Sequence, residues 1–226
     1  MAKLLDGQCV QELKSSGRLA CLAVRLSLEF RDTNPPQEFL QVEKHMRICL
    51  AATAGLNSMR TISPSEPLLA EGAYIAMADW SAAEALLQHI DDSSVSAGDQ
   101  GELIAALIVL LARDDVVRSQ EKSPEMLDDT ELRNDGMFTG RVVTVVQLLR
   151  ALFTKQEQTN WPLSLEEAFK GGYVWFNHFI RAEDNDVINQ EYLWRLISRG
   201  AAVICANNQR GVDIVIPILF GEALWK

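Results

Sequence analysis

The chain is short of the residues that usually mark a site. Its four cysteines, Cys9, Cys21, Cys49 and Cys205, stand far apart. No C-x-x-C pair occurs, and no Cys/His pair has zinc spacing, so they read as reduced core or half-buried thiols of a cytosolic or nuclear protein. Long apolar runs are also missing. The longest, Leu103–Ala112, is too short to span a bilayer. The opening MAKLLDGQCVQELKSSGR has no continuous apolar segment and no small-residue cleavage site, so no secretory signal is expected and the chain reads as intracellular, with no membrane partner. Low-complexity segments and internal repeats are absent. So are G-x-x-x-x-G-K-[ST], a G-x-G-x-x-G after a strand, G-x-S-x-G, H-E-x-x-H and an EF-hand loop. No self-sufficient catalytic motif remains. Basic residues form no stripe with interleaved aromatics, which leaves a dedicated nucleic-acid-binding helix unsupported.

What is present is an ordinary globular balance, 48% hydrophobic and 23% charged over 226 residues, enough for one large or two small domains. The net charge of −10 is unevenly spread. Residues 1–60 carry 8 basic and 6 acidic side chains, residues 61–140 carry 4 and 16, and residues 141–226 carry 9 and 9. The acidic middle would repel nucleic acid at long range, while the neutral C-terminal end leaves room for such a partner.

Helical periodicity dominates the first part. Leu19, Leu22, Ala23 and Leu26 recur at i, i+3, i+4 and i+7 in 8–30, and Asn34-Pro35-Pro36 stops that segment. A helix is expected over 38–54, with Phe39, Val42 and Met46 on its inner face and His45 in solvent. Ser63 and Glu66 predict a capping box for the next helix, and Ser81 and Glu84 a second. His89 falls where a helix end favours positive charge. Asp99 and Glu102 form a further box opening GELIAALIVLLARD, which reads as a central buried helix. Residues 114–138 read as a charged surface excursion. A helix, ambiguous with strand in its first half, follows at 141–153, then a loop at 154–161 and a short helix capped by Ser164–Glu167.

After Gly171-Gly172 the pattern changes. Tyr173–Arg181 reads as a strand with His178 as a core or edge histidine, Gln190–Arg199 as a helix ended by Gly200, and Ala201–Ala206 and Val212–Phe220 as strands buried on both faces. The expected class is α+β, with a helical module over 1–98 and an α/β module over 99–226.

Two acids stand out: Glu102 at the start of an apolar helix and Asp213 at the start of an apolar strand. Carboxylates from two elements over one place can hold Mg²⁺ and activate water against a phosphodiester. Each also has a structural role open to it, Glu102 as a capping residue and Asp213 as a partner of the turn backbone.

The segments VEKHMRICLAATAG (42–55), TISPSEPLLAEGA (61–73), GELIAALIVLLARD (101–114), VWFNHFI (174–180) and RGAAVICANNQRGVDIVIPI (199–218) resemble, in the same order, a family from mushroom-forming fungi related to the Crinkler-type effectors. The resemblance implies a C-terminal module with a restriction-endonuclease-like PD-(D/E)XK fold. It implies Glu102 and Asp213 as its catalytic, metal-holding acids, Mg²⁺ as the ion and Gln209 as a nearby polar contact. The family pattern continues with a Q-V-K-N-like strand bringing a third ligand and a lysine. This sequence runs to GEALWK without it, and Glu222 and Lys226 do not form an E-x-K pair. Two functions follow: a degenerate or partial Mg²⁺-dependent phosphodiesterase acting weakly, or not at all, on nucleic acid, and a non-enzymatic, effector-like scaffold for a protein partner. A sheet lacking that strand would leave 212–220 as an edge open to self-association.

Overall fold

The computed structural model describes residues 1–28, 35–55, 57–92, 97–122, 142–158, 161–206 and 211–220. The first helix, α1 (Ser15–Leu26), carries apolar side chains on nearly every face and is accordingly surrounded: all eight residues from Leu19 to Leu26 are buried. It ends where Ser27 turns left-handed at φ +50°.

The next helix, α2 (Pro35–Lys44), stops ten residues short of the expected end, and 48–54 is not helical. Instead β1 (Ile48–Ala52) pairs antiparallel with β2 (Met59–Ile62) in a two-stranded ribbon. The reason is the buried Arg47. Its guanidinium donates to Thr61 Oγ1 and Ser63 Oγ and to the carbonyls of Leu28 and Thr61, bonds that hold the chain against the 61–63 segment rather than in a helix. The inner face of α2 is also polar rather than apolar. Glu38 is bonded to Thr61 Oγ1 at 2.6 Å, Gln41 donates to the Ser16 carbonyl, and Met46 is exposed. His45, expected in solvent, is buried with Nδ1 2.7 Å from the Leu4 carbonyl oxygen.

Helix α3 (Pro67–Ala76) starts at Pro67, with Glu66 rather than Ser63 at its N-cap and no side-chain cap bond. In α4 (Ala82–Asp92) half of the second capping box is present, the Glu84 N–H donating to Ser81 Oγ at 3.2 Å. The long helix α5 (Ala97–Lys122) begins before Asp99, so Glu102 sits in its second turn and the box at 99–102 does not form. This helix shows Ile104 and Ile108 to solvent. It also runs through the first residues of the expected surface excursion, and Asp114, the first of them, is buried together with Arg113 just before it. Residues 123–138 of that stretch, and residues 93–96 shortly before the expected module boundary at 98, lie outside the described residues.

A capping box of Thr144 and Gln147 then opens α6 (Val145–Leu152) directly after the short strand β3 (Val143–Thr144). Two short helices follow, α7 (Lys155–Gln158) and α8 (Leu163–Ala168). Each of the two apolar runs read as one strand is split between two sheets. The first gives β4 (Gly172–Val174) and β5 (His178–Arg181). The second follows α9 (Gln190–Ser198) and β6 (Ala201–Ile204), and gives β7 (Ile214–Val215) and β8 (Leu219–Phe220). Pro217 separates the last pair, where a missing N–H and a fixed φ interrupt a ladder. One sheet has the order β3-β4-β8, all antiparallel, and the other β5-β6-β7, with β5 and β6 parallel and β7 antiparallel to β6.

The fold is therefore α+β. Its main apolar cluster joins α1, α3 and α4 to α5, α6, Phe176, Phe179, Ala202 and Ile204, so one core draws on both sides of residue 98. A smaller cluster, with Leu196 of α9 against Ala201 and Val203, covers the other face of β6. Among the described residues, β6 alone of the strands is buried along its whole length; residues 214–216 are half-buried and 211–213 exposed.

Gly200, between α9 and β6, has φ +57°, and the Trp175 ring lies 3.4 Å from where a Cβ would stand. Gly200→Ala is expected to cost about 1–2 kcal/mol through the left-handed backbone, read as a lower urea midpoint with unchanged m.

Candidate functional site

The parallel strands β5 and β6 carry polar groups at both of their ends. At the carboxyl end, β5 finishes on Arg181 and β6 leads into Cys205. The Cys205 N–H donates to the Asp213 carbonyl at 2.8 Å, which seats Asp213 there just before β7. Glu102, from the second turn of α5, reaches the same end and accepts from Arg181 Nη1 at 3.0 Å. The two side chains of this ion pair are only 17% and 11% exposed, so the pair is largely out of water. Cys205 records the convergence. Burial raises its thiol pKa, and the negative charges of Asp213 and Glu102 raise it further.

Glu102 and Asp213 therefore lie close enough to act on one thiol, but in different states. Glu102 is held by a guanidinium, while Asp213 is exposed. Gln209 lies outside the described residues. Mg²⁺ takes hard oxygen ligands in near-octahedral geometry. One carboxylate already paired to Arg181, one carboxylate in solvent and a protonated thiol do not make that set as they stand. Among the described residues no three His, Cys, Asp or Glu side chains gather as a group able to hold a metal. Arg181 is the member of this cluster that sequence reasoning missed. Its partner stands 79 residues away, and no local spacing connects them.

A second polar cluster lies inside the core. Asp114 accepts from Arg25 at 2.6 and 2.9 Å and from Arg113 at 3.1 Å, and all three are essentially without solvent exposure. The guanidinium carbons of Arg25, Arg113 and Arg118 lie 5.5, 5.7 and 5.4 Å from the centre of the Tyr74 ring, within the range of cation–π attraction. Arg25 Nε also donates to the Asn177 carbonyl at 2.9 Å, tying α1 to the start of β5. This network joins the helices to the sheet.

His89 lines a cleft of about 140 Å³ with Arg18, Glu84 and Gln88, between α1 and α4. That is well below the roughly 300 Å³ at which small-molecule pockets begin. The cleft suits a few waters.

With this geometry in view, the comparisons can be stated. One family, described as a domain of unknown function (DUF8736), matches residues 12–223. The chain belongs to the DUF8736 family. Comparison with curated proteins gives no match, and neither does comparison with solved structures. The match begins before α1 and ends after β8, so the DUF8736 domain takes in the buried Arg25–Asp114 network as well as the Glu102–Arg181 pair. No helix among its described residues is long and apolar enough to cross a membrane.

Proposed function

We propose that this chain is a degenerate, nuclease-like module of Crinkler-type ancestry that does not cut nucleic acid and works as a scaffold for a protein partner. The observation that carries this reading is the Glu102–Arg181 ion pair. A guanidinium beside Glu102 supplies the positive charge that a nuclease would take from its metal. An ion pair this far out of water is costly to break. The acid in the position of a metal ligand is thus engaged in holding α5 to β5.

A surface for a partner is available on the ribbon. Every residue of β1 is exposed, including Ile48 and Leu50, and Ile62 of β2 stands beside them. An apolar edge of five residues is a better template for an added strand than the expected 212–220 segment, which contributes only two residues to each of its sheets. The four free thiols support a reducing, intracellular setting.

A second reading, weak Mg²⁺-dependent cleavage of nucleic acid, is favoured by the joint action of Glu102 and Asp213 on the Cys205 thiol. A cleavage assay on DNA and RNA with Mg²⁺ or Mn²⁺ separates the two. No cleavage is expected, and no change in melting temperature on adding either ion. Cleavage that disappears in both Glu102→Ala and Asp213→Ala would overturn the scaffold reading.

A further inference from the structure

We propose that Ser65, His178 and Asn177 form a serine-nucleophile site at the amino end of β5, able to hydrolyse a small carboxylic ester. It lies at the opposite end of the strand from Arg181, three residues or roughly 10 Å away, and shares no residue with the Glu102–Asp213 cluster.

The geometry comes from three elements. Ser65 stands two residues before α3, in the segment that leads from β2. His178 is the first residue of β5 and is fully buried. Asn177 precedes it, with its backbone N–H bonded to the Gly200 carbonyl. The His178 ring joins the other two: Nε2 lies 2.9 Å from Ser65 Oγ, and Nδ1 lies 2.8 Å from Asn177 Oδ1.

The direction of the proton follows from the amide. Asn177 Nδ2 donates to the Pro67 carbonyl at 2.9 Å and to a Glu71 carboxylate oxygen at 3.3 Å. Those bonds orient the amide so that Oδ1, which can only accept, faces the ring. Nδ1 therefore carries the hydrogen, and Nε2 presents its lone pair to the Ser65 hydroxyl. A nucleophile, a base within hydrogen-bond reach and a third group that orients the base are the parts of an activated serine.

The surroundings set the charge state of the ring and of the hydroxyl. Burial, aided by the charges of Arg25 and Arg199, pushes the His178 pKa down to about 4, against a smaller opposing effect of the Gly200 carbonyl. The ring is thus neutral at physiological pH, with its lone pair free for the Ser65 hydroxyl; the same burial and charges make the protonated ring costly, so turnover at this site is slow. Arg199 Nε lies 3.4 Å from Ser65 Oγ, and its Nη2 donates to the Ser65 carbonyl. A cation at that distance favours negative charge on the oxygen. Ser65 is half-buried and Arg199 exposed, so the site lies near the surface of the fold. The amino end of α3 follows directly, and its dipole favours the charge that develops on a carbonyl oxygen under attack.

In the reaction, Ser65 Oγ bonds to the ester carbonyl carbon as its proton moves to His178 Nε2. The acyl C–O bond then breaks, and the leaving alkoxide takes that proton and departs as the alcohol. Water attacks acyl-Ser65 in the same way, gives its proton to Nε2, and releases the carboxylic acid with the serine hydroxyl restored. No redox partner is needed.

The test is labelling of the full chain with an alkyl fluorophosphonate, with the modified residue mapped by mass spectrometry, and a parallel assay of p-nitrophenyl acetate hydrolysis. The expected result is modification of Ser65, with labelling at that residue lost on heat-unfolding the wild-type chain. Ser65→Ala should abolish ester hydrolysis at unchanged melting temperature, and His178→Gln should slow labelling of Ser65 by about 100-fold. A folded wild-type chain that leaves Ser65 unmodified overturns the proposal. So does Ser65 labelling that continues at the same rate after unfolding, a control that does not depend on whether His178→Gln folds.

Discussion

Asp114→Ala is expected to lower the stability of this chain by about 3–5 kcal/mol, measured as a fall in the urea midpoint of equilibrium unfolding. The side chain removed is the only acid bonded directly to both Arg25 and Arg113 among the described contacts. Truncating it leaves two guanidinium groups that are 0% and 1% exposed without their shared counter-charge. Tyr74 offers both cations a ring face, but an exposed cation–π contact is worth only about 0.5–1 kcal/mol and a desolvated one about 2. Set against a total stability of roughly 5–15 kcal/mol, the change brings the fold to the edge of unfolding at 25 °C. A loss below about 1 kcal/mol would mean that water reaches the cluster. Acid should mimic the substitution. Arg25 and Arg113 outweigh the opposing effect of burial and hold the Asp114 pKa below its usual value. The stabilisation is therefore present above the ordinary carboxylate range and lost as pH falls through the depressed folded value.

The second large effect is a pH dependence set by His178. Its pKa lies near 6.5 in the unfolded chain and at about 4 in the fold, chiefly because the ring is buried. Between these values the unfolded chain binds a proton and the folded chain does not, so stability rises with pH across that window. Going from pH 7 to pH 4 should cost about 3 kcal/mol from this group alone. Urea midpoints at half-unit intervals check the size, and His178→Gln should flatten the curve between pH 4 and 6.5. A slope that persists unchanged in that variant would assign the dependence to other groups.

How far such features can be read from the sequence depends on how local their causes are. The stop of helix α9 was legible because Gly200 takes the left-handed turn after it, whereas the Asn189 cap at its other end, accepting from the Tyr192 N–H, was not read from the sequence. Helix α1 was legible because its apolar residues repeat along one short segment. The start of α3 was misread by one turn because Ser63, the expected cap, is instead bonded by Arg47, a tertiary contact across 16 residues. The inner face of α2 was misread for a similar reason. A helix that buries Glu38, Gln41 and His45 shows no apolar stripe on that side, and the partners that make burial tolerable come from β2, α1 and the N-terminal segment. Asp114 sits beside Asp115 and near Arg118, a setting that looks solvated until Arg25 arrives from another helix.

The candidate acids divide along the same line. Glu102 and Asp213 were singled out by their isolation among apolar residues and by a resemblance, and they do converge on Cys205. Their chemistry could not be read without Arg181. A guanidinium three strand positions beyond His178 is indistinguishable in sequence from any surface arginine. The Ser65–His178–Asn177 constellation was illegible in a different way, because the serine and the histidine stand 113 residues apart.

The bonds of Arg25 have a further consequence, one of timing. They reach 89 residues forward to Asp114 and 152 forward to Asn177. At about 5–20 residues per second of synthesis, roughly 10–30 s pass between the emergence of α1 and that of the backbone carbonyl that Arg25 Nε needs. For the first 89 residues of that interval α1 carries a guanidinium whose counter-charge, Asp114, is not yet made. The full set of Arg25 bonds can therefore close only after the residues that open β5 have left the ribosome.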